Sequence, residues 1–201
     1  MNESTLKLIK IIMTLEQQIK SCQKCELYKT CNAPIPGDGN FNSKILFVWE
    51  APGADEDKQW KPFVGRSWKL LTSILEEIWL KREKDYYITN IVKCRPPENR
   101  DPKKEEIAAC SPYLLEQLKE WNFKVIVTLW RFSMNFFIPE LKISQDRWKI
   151  FKITEFAGMK FEKWIYLLPS YHPAVALYSP SKKDIIKEDL QKLEKLLEKI
   201  D

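Results

Sequence analysis

KILFVWEAPGADEDKQWKPFVG, residues Lys44 to Gly65, is the stretch whose reading decides the fold. It opens as a short apolar run and spills into a loop that carries acids, glycines, Trp60 and Phe63. A strand with no polar alternation is buried on both faces, as in parallel sheets. Whatever follows such a strand is delivered to the carboxyl edge of the sheet, where open α/β folds bind ligands. Glu50 and Phe63 are expected there. A second stretch, LPSYHPAVAL from Leu168 to Leu177, has the same form and carries His172, the only histidine of the chain. Two strand ends meeting over one pocket are therefore expected.

Working outward, the pattern alternates strand and helix. Leu8, Ile11, Ile12, Leu15 and Ile19 have helical spacing within Leu6 to Ser21, and Cys22 to Asn40 reads as a loop rich in proline and glycine. Strands are predicted at Lys44 to Val48, Tyr86 to Asn90, Val125 to Leu129 and Trp164 to Leu168. Helices are predicted over Trp68 to Trp79, from an Asp101–Pro102 start to about Trp121, over Arg131 to Phe137, and from Ser181 with Asp184 in the manner of a capping box. Residues 141–163 read as a hairpin lying over the sheet. The expected fold is α/β: a three-layer sandwich in which a central, mainly parallel four-stranded sheet is covered by helices on both faces, in one domain over residues 1–201.

Composition narrows the function. The chain has 201 residues, 44% of them apolar, with no uninterrupted apolar run of about 18 residues that would span a membrane. The start MNESTLKLIKII lacks the basic stretch and cleavage site of a secretion signal, so a cytoplasmic protein is expected. With 33 basic and 28 acidic residues, the net charge of +5 permits a polyanionic partner without demanding one. Five cysteines, an odd number, argue against a disulfide framework and for metal or redox use. Cys22 and Cys25 form a CxxC, with Cys94 and Cys110 far downstream. Four thiolates from two segments suit a tetrahedral zinc or an iron-sulfur cluster, and on spacing alone Cys31 can replace any of them.

The motifs EAPG (Glu50 to Gly53), PFVG (Pro62 to Gly65), ITNIVKCRPPENRDP (Ile88 to Pro102), EIAACSPYL (Glu106 to Leu114) and YHPA (Tyr171 to Ala174) resemble those of the family 4 uracil-DNA glycosylases, the thermophile-type enzymes with an iron-sulfur cluster. The resemblance covers about Ser21 to Ile200. It implies a [4Fe–4S] cluster on Cys22, Cys25, Cys94 and Cys110, with iron favoured over zinc and Cys31 left spare. It implies hydrolysis of the N-glycosidic bond of uracil in DNA, without strand cleavage, in base excision repair. The extruded base would stack on Phe63 and pair with Asn90, in a pocket bounded by Ala51 and Gly53. His172 would stabilise charge on the leaving base, and Glu50 would order the water or balance a cationic sugar. Ala51 stands where better-known uracil glycosylases place an Asp that activates water. The segment after His172, with Ala174 and Leu177, would enter the minor groove as a wedge. Uracil-containing DNA is the expected partner of a monomer that also has room for a replication or repair protein.

The chain departs from that family in a patterned way. Trp49 stands before EAPG, Trp68 follows PFVG, and Trp130 sits within TLWR, where the family usually writes glycine. Strand alternation places Trp49 under the sheet with Ile45 and Phe47, and helical spacing places Trp68 in the core with Leu71 and Leu75. An indole in the pocket instead would make the protein a weakened or retuned relative that binds DNA or a partner.

Overall fold

The computed structural model describes residues 15–121, 123–179 and 181–200. Much of the predicted helix Leu6 to Ser21 lies outside the described residues; residues 15–20 form helix α1. The strands are β1 (Asp38–Gly39), β2 (Ile45–Trp49), β3 (Tyr86–Asn90), β4 (Val125–Leu129), β5 (Phe151–Phe156) and β6 (Met159–Ser170). The helices that follow α1 are α2 (Ala54–Gln59), α3 (Arg66–Glu77), α4 (Arg82–Asp85), α5 (Lys104–Glu120), α6 (Arg131–Phe137), α7 (Ile143–Asp146), α8 (Ala174–Tyr178) and α9 (Ser181–Ile200).

The sheet is six-stranded and mixed, in the order β1-β3-β2-β4-β6-β5, which corrects the expected four strands. The four expected strands are its parallel centre, β3-β2-β4-β6, and an antiparallel strand closes each edge. Both additions were hidden for physical reasons. β1 has two residues, too few for any period, and exists because Gly39 lets the chain pass Tyr86, whose carbonyl oxygen would lie 2.4 Å from a Cβ there. The hairpin of residues 141–163 does not lie over the sheet. Strands β5 and β6 pair antiparallel with a shift of register between Ile153 and Glu155, and β5 extends the edge with exposed Lys152 and Thr154 alternating with Phe151 and Ile153.

β2 divides the core. Ile45 and Phe47 join the apolar layer built with Leu71, Ile74 and Leu75 of α3 and Leu190 and Leu193 of α9. Leu46 and Val48 join the opposite layer with Leu15 and Ile19 of α1 and Leu114 and Leu118 of α5. Each such fully buried side chain contributes roughly 1.5–3 kcal/mol, so these two layers carry the fold. Helix α5 starts after Lys103, two residues past the expected Asp101–Pro102 signal. The Lys103 N–H donates to Glu106 at 2.7 Å and Arg100 grips the same carboxylate, while the Asp101 carboxylate is drawn away to Arg131 at 3.0 Å. Among the described residues no helix is long and apolar enough to cross a membrane.

Several turns are made by residues ill suited to them. Trp60, Trp79, Trp130 and Trp148 have φ of 55°, 66°, 97° and 56°, each in the left-handed half of backbone space. A bulky side chain costs on the order of 1–2 kcal/mol there relative to glycine.

Candidate active site at the carboxyl edge of the sheet

Three parallel strands end at the same edge, β2 and β3 adjacent and β6 one strand further on, beyond β4. β2 ends at Trp49 and passes to Glu50; β3 ends at Asn90, in register with Trp49; β6 ends at Ser170, two residues before His172. Above them opens a cleft of about 430 Å³. It brings together Glu50, Ala51 and Gly53 from the loop after β2, Trp49 and Trp68, and His172, Ala174 and Leu177 from the end of β6. Phe63 and Asn90 do not line it. Phe63, 3% exposed, belongs to the layer of Trp68 and Leu71, and Asn90 is 1% exposed at the end of β3. The segment after His172, expected as a loop, forms the short helix α8, with Leu177 42% exposed at the cleft rim.

The imidazole is poised in one state. The Ala174 N–H donates to Nδ1 of His172 at 3.2 Å, so that nitrogen accepts and the ring proton sits on Nε2. Nε2 is out of solvent and has no partner among the described residues. Burial lowers the His172 pKa to about 4, which keeps the ring neutral at physiological pH. The Asn90 Oδ1 is likewise buried without a partner. Beside the cleft, burial lifts the Glu50 pKa to about 7; Asp101 pushes the same way and Arg131 opposes. A donor and an acceptor at one sheet edge are thus both withheld from water and both unused, the arrangement of a site built for a ligand.

Indole rings pack on His172. Trp49 packs against the layer of Ile45 and Phe47, as expected, and its half-buried ring also reaches the cleft and lies over His172, with ring centroids 4.0 Å apart. Trp68 is 4% exposed, in the core as expected, but its ring also bridges Phe63 at 4.6 Å and His172 at 5.1 Å. Trp130, which had no expected place, precedes α6 and tilts against Tyr171 at 5.9 Å.

Comparison with known proteins decides the family. Residues 36–199 match the model of the uracil DNA glycosylase superfamily. The chain belongs to the uracil-DNA glycosylase superfamily. It is 41% identical over 189 residues to the type-4 uracil-DNA glycosylase of Saccharolobus solfataricus, covering 91% of this chain and 85% of that relative. To the type-4 enzyme of Archaeoglobus fulgidus it is 42% identical over 185 residues, 90% of each chain. To that of Thermotoga maritima it is 38% identical over 187 residues, 92% of this chain and 94% of the other.

What holds this uracil-DNA glycosylase site in shape is a carboxylate that the motifs did not single out. Glu56, 4% exposed, accepts from the N–H of Gly53 at 3.1 Å, Val64 at 2.9 Å and Gly65 at 2.7 Å. It ties the start of the EAPG loop to the end of the PFVG turn, with Phe63 between. A Cβ on Gly53 would meet the Glu56 Oε2 at 2.7 Å, so that position needs glycine for close approach. Next to it, Asp57 accepts from the backbone N–H and the side-chain amide of Asn32, at 2.9 and 2.7 Å, which links the cleft to the cysteine loop. The only sequence signal for either was acids in an otherwise loop-like ADED run. Buried Lys93 donates to Thr89 Oγ1, the Asn90 carbonyl and Gln117 Oε1, at 2.7, 2.8 and 2.9 Å, and so anchors the end of β3.

The cysteines gather on the far side of the sheet from the Trp68 layer. Cys94 and Cys110 are buried there, and Cys22, Cys25 and Cys31 pack against the same cluster. Cys31 is not remote from the rest: its Sγ lies 2.7 Å from that of Cys94. The Lys93 N–H donates to Cys110 Sγ at 3.1 Å. Burial pushes the Cys110 thiol up to about 11 and raises Cys25 as well. Among the described residues no three Cys, His, Asp or Glu side chains converge as ligands of a single metal ion. Replacing Glu56 by alanine leaves three backbone donors without their charged acceptor. Glu56→Ala is expected to destabilise the fold by about 3 kcal/mol in denaturant titration, whereas a loss below about 1 kcal/mol would mean the clamp is dispensable.

Proposed function

We propose that the protein excises uracil from DNA, hydrolysing the N-glycosidic bond and leaving an abasic site, as the names of its type-4 relatives describe for them. The observation that carries this reading is the neutral His172 with its Nε2–H buried and unpaired at the same sheet edge as the unpaired Asn90 Oδ1. A flipped uracil needs that complement. Its N3–H meets the Asn90 oxygen, while cytosine, with no hydrogen at N3, would leave the oxygen unpaired and be rejected. His172 donates to O2 as the base departs with negative charge, an effect worth roughly 3 kcal/mol, comparable with one oxyanion donor.

The remaining roles follow from charge and position. Glu50 as carboxylate balances positive charge on the sugar and orders the attacking water; Ala51 beside it has no group to activate that water, so leaving-group stabilisation carries more of the barrier. Phe63 supplies the stacking face and Gly53 the close backbone approach. Ala174 and Leu177 of α8 meet the DNA, with the exposed Leu177 side chain as wedge. Lys93 is fully engaged by three acceptors, which leaves it no part as a Schiff-base nucleophile. In the arrangement seen, the Trp68 indole must leave the space between Phe63 and His172 before a base can occupy it.

Cys22, Cys25, Cys94 and Cys110 are proposed to hold a [4Fe–4S] cluster. The donor set fits: it is all sulfur, Cys94 and Cys110 are buried with Cys22 and Cys25 half-buried against them, one sulfur already accepts a backbone N–H, and the thiols burial keeps protonated would give up their protons to iron. The cluster would supply a structural tie between the N-terminal loop, the loop after β3 and α5. Cys110→Ser should lose the visible absorbance and most of the iron found by elemental analysis; an unchanged iron content would remove Cys110 from the ligands.

The function is tested with a labelled oligonucleotide bearing one uracil, incubated with the protein and then treated with alkali. Strand breakage at the uracil is expected, with His172→Ala slower by about a hundredfold or more. An intact strand both with this protein and with a variant carrying Trp49→Gly and Trp68→Gly would defeat the reading. The rate should also fall as the pH drops through about 7, because protonation removes the Glu50 carboxylate, while His172 stays neutral down to about 4 and adds no limb. Single-turnover rates from acid to alkaline pH check this: Glu50→Gln should be slower and lose the limb near 7, and a limb that survives in Glu50→Gln belongs to another group.

A further inference from the structure

Four of the eight tryptophans of this chain occupy places that backbone geometry reserves for another residue. Trp79 follows the C-terminus of α3, where its N–H bonds the Glu76 carbonyl at 3.1 Å and the Leu80 N–H bonds that of Leu75 at 3.0 Å. With φ of 66° this is a Schellman motif whose left-handed position is usually glycine, yet the indole there is 82% exposed. Trp60 closes α2 at φ 55° and ψ 26°, again a left-handed cap, and is 67% exposed. Trp148 is the third residue of a turn closed by Lys149 N–H to Asp146 carbonyl at 3.2 Å, with Arg147 at φ −51°, ψ 127° before it and φ of 56° itself. That is a type II turn, which calls for glycine at this position. Trp130, at φ 97° and ψ 172°, lies in a region that is essentially glycine's alone.

The pattern is not that of ordinary strain. Among the described residues eight non-glycine residues have positive φ, and four of them are tryptophan, although tryptophan makes up only 8 of 201 residues. Glycine is correspondingly scarce: the chain has 5, where average usage near 7% would give about 14. Two further tryptophans, Trp49 and Trp68, bear no backbone strain but crowd His172: Trp49 lies over its ring, and Trp68 stands between it and Phe63. Independent substitutions would scatter over residue types; here one residue type recurs in place of one other. A shared codon does this. UGA, one base from the tryptophan codon UGG, is read as stop, tryptophan or glycine in different genetic codes.

We propose that Trp49, Trp60, Trp68, Trp79, Trp130 and Trp148 stand at UGA codons that the cells carrying this gene decode as glycine, so that the polypeptide they make has relaxed turns and an open base slot. The opening of the slot rests on the uracil reading above; the glycine assignment does not. The test is the codon at each of the six positions together with peptide masses of the protein isolated from those cells. UGA at all six, and peptides lighter by an indolylmethyl group at each, are expected. UGG codons, or peptides carrying the tryptophan mass, overturn the proposal whatever the activity. In recombinant protein, Trp49→Gly with Trp68→Gly should speed uracil release by on the order of a hundredfold. Glycine masses from the cells with no release by that double variant would uphold the decoding and sink the uracil reading instead.

Discussion

Strand β2 is enclosed on every side, and the rest of the molecule is arranged by that enclosure. Parallel partners hold both of its edges, β3 on one and β4 on the other, and apolar layers cover both of its faces. A strand so placed has no freedom of register, because a shift by one residue would exchange the side chains of the two layers. Its carboxyl end is therefore a fixed point. Glu50 and the loop that follows are hung from it, and the ends of β3 and β6 arrive at the same edge because parallel pairing sets them level.

From that fixed point a loop of irregular backbone has to reach α3 without losing its shape, and burying charge achieves it. One carboxylate, Glu56, satisfies three backbone N–H groups that no strand or helix could pair, and its neighbour Asp57 reaches across to the cysteine loop. The same dry surroundings set the chemistry of the edge. They hold His172 neutral and Glu50 close to its titration point, and they leave one donor and one acceptor without water. Stability and reactivity thus share a cause in the low dielectric at the end of the sheet.

Much of this was legible beforehand. The parallel strands β2, β3 and β4 were readable because burial on both faces writes a short apolar or β-branched run, and α3 and α9 because burial on one face writes a helical stripe. Glu50, Ala51, Gly53 and His172 were readable because they sit in compact motifs at strand ends. Less visible were elements whose cause lies elsewhere in the chain. β1 needs the ladder that Tyr87 and Ile88 offer it, α5 starts where the Lys103 N–H finds the Glu106 carboxylate that Arg100 also grips, and Glu56 matters through Val64 and Gly65, eight and nine residues away. The contacts of Trp49 and Trp68 with His172 were hidden for a related reason: alternation tells which face a side chain leaves from, not what stands opposite it.

The amino-acid sequence by itself determined the α/β class, the parallel centre of the sheet and the family, since these depend on local periodicity and on short runs of residues. Only the tertiary structure decided that the sheet has six strands, that His172 carries its proton on Nε2, and that indole rings stand between Phe63 and His172. Those facts depend on pairings between segments far apart in the chain and on backbone angles at single residues, and neither leaves a periodic trace in the sequence.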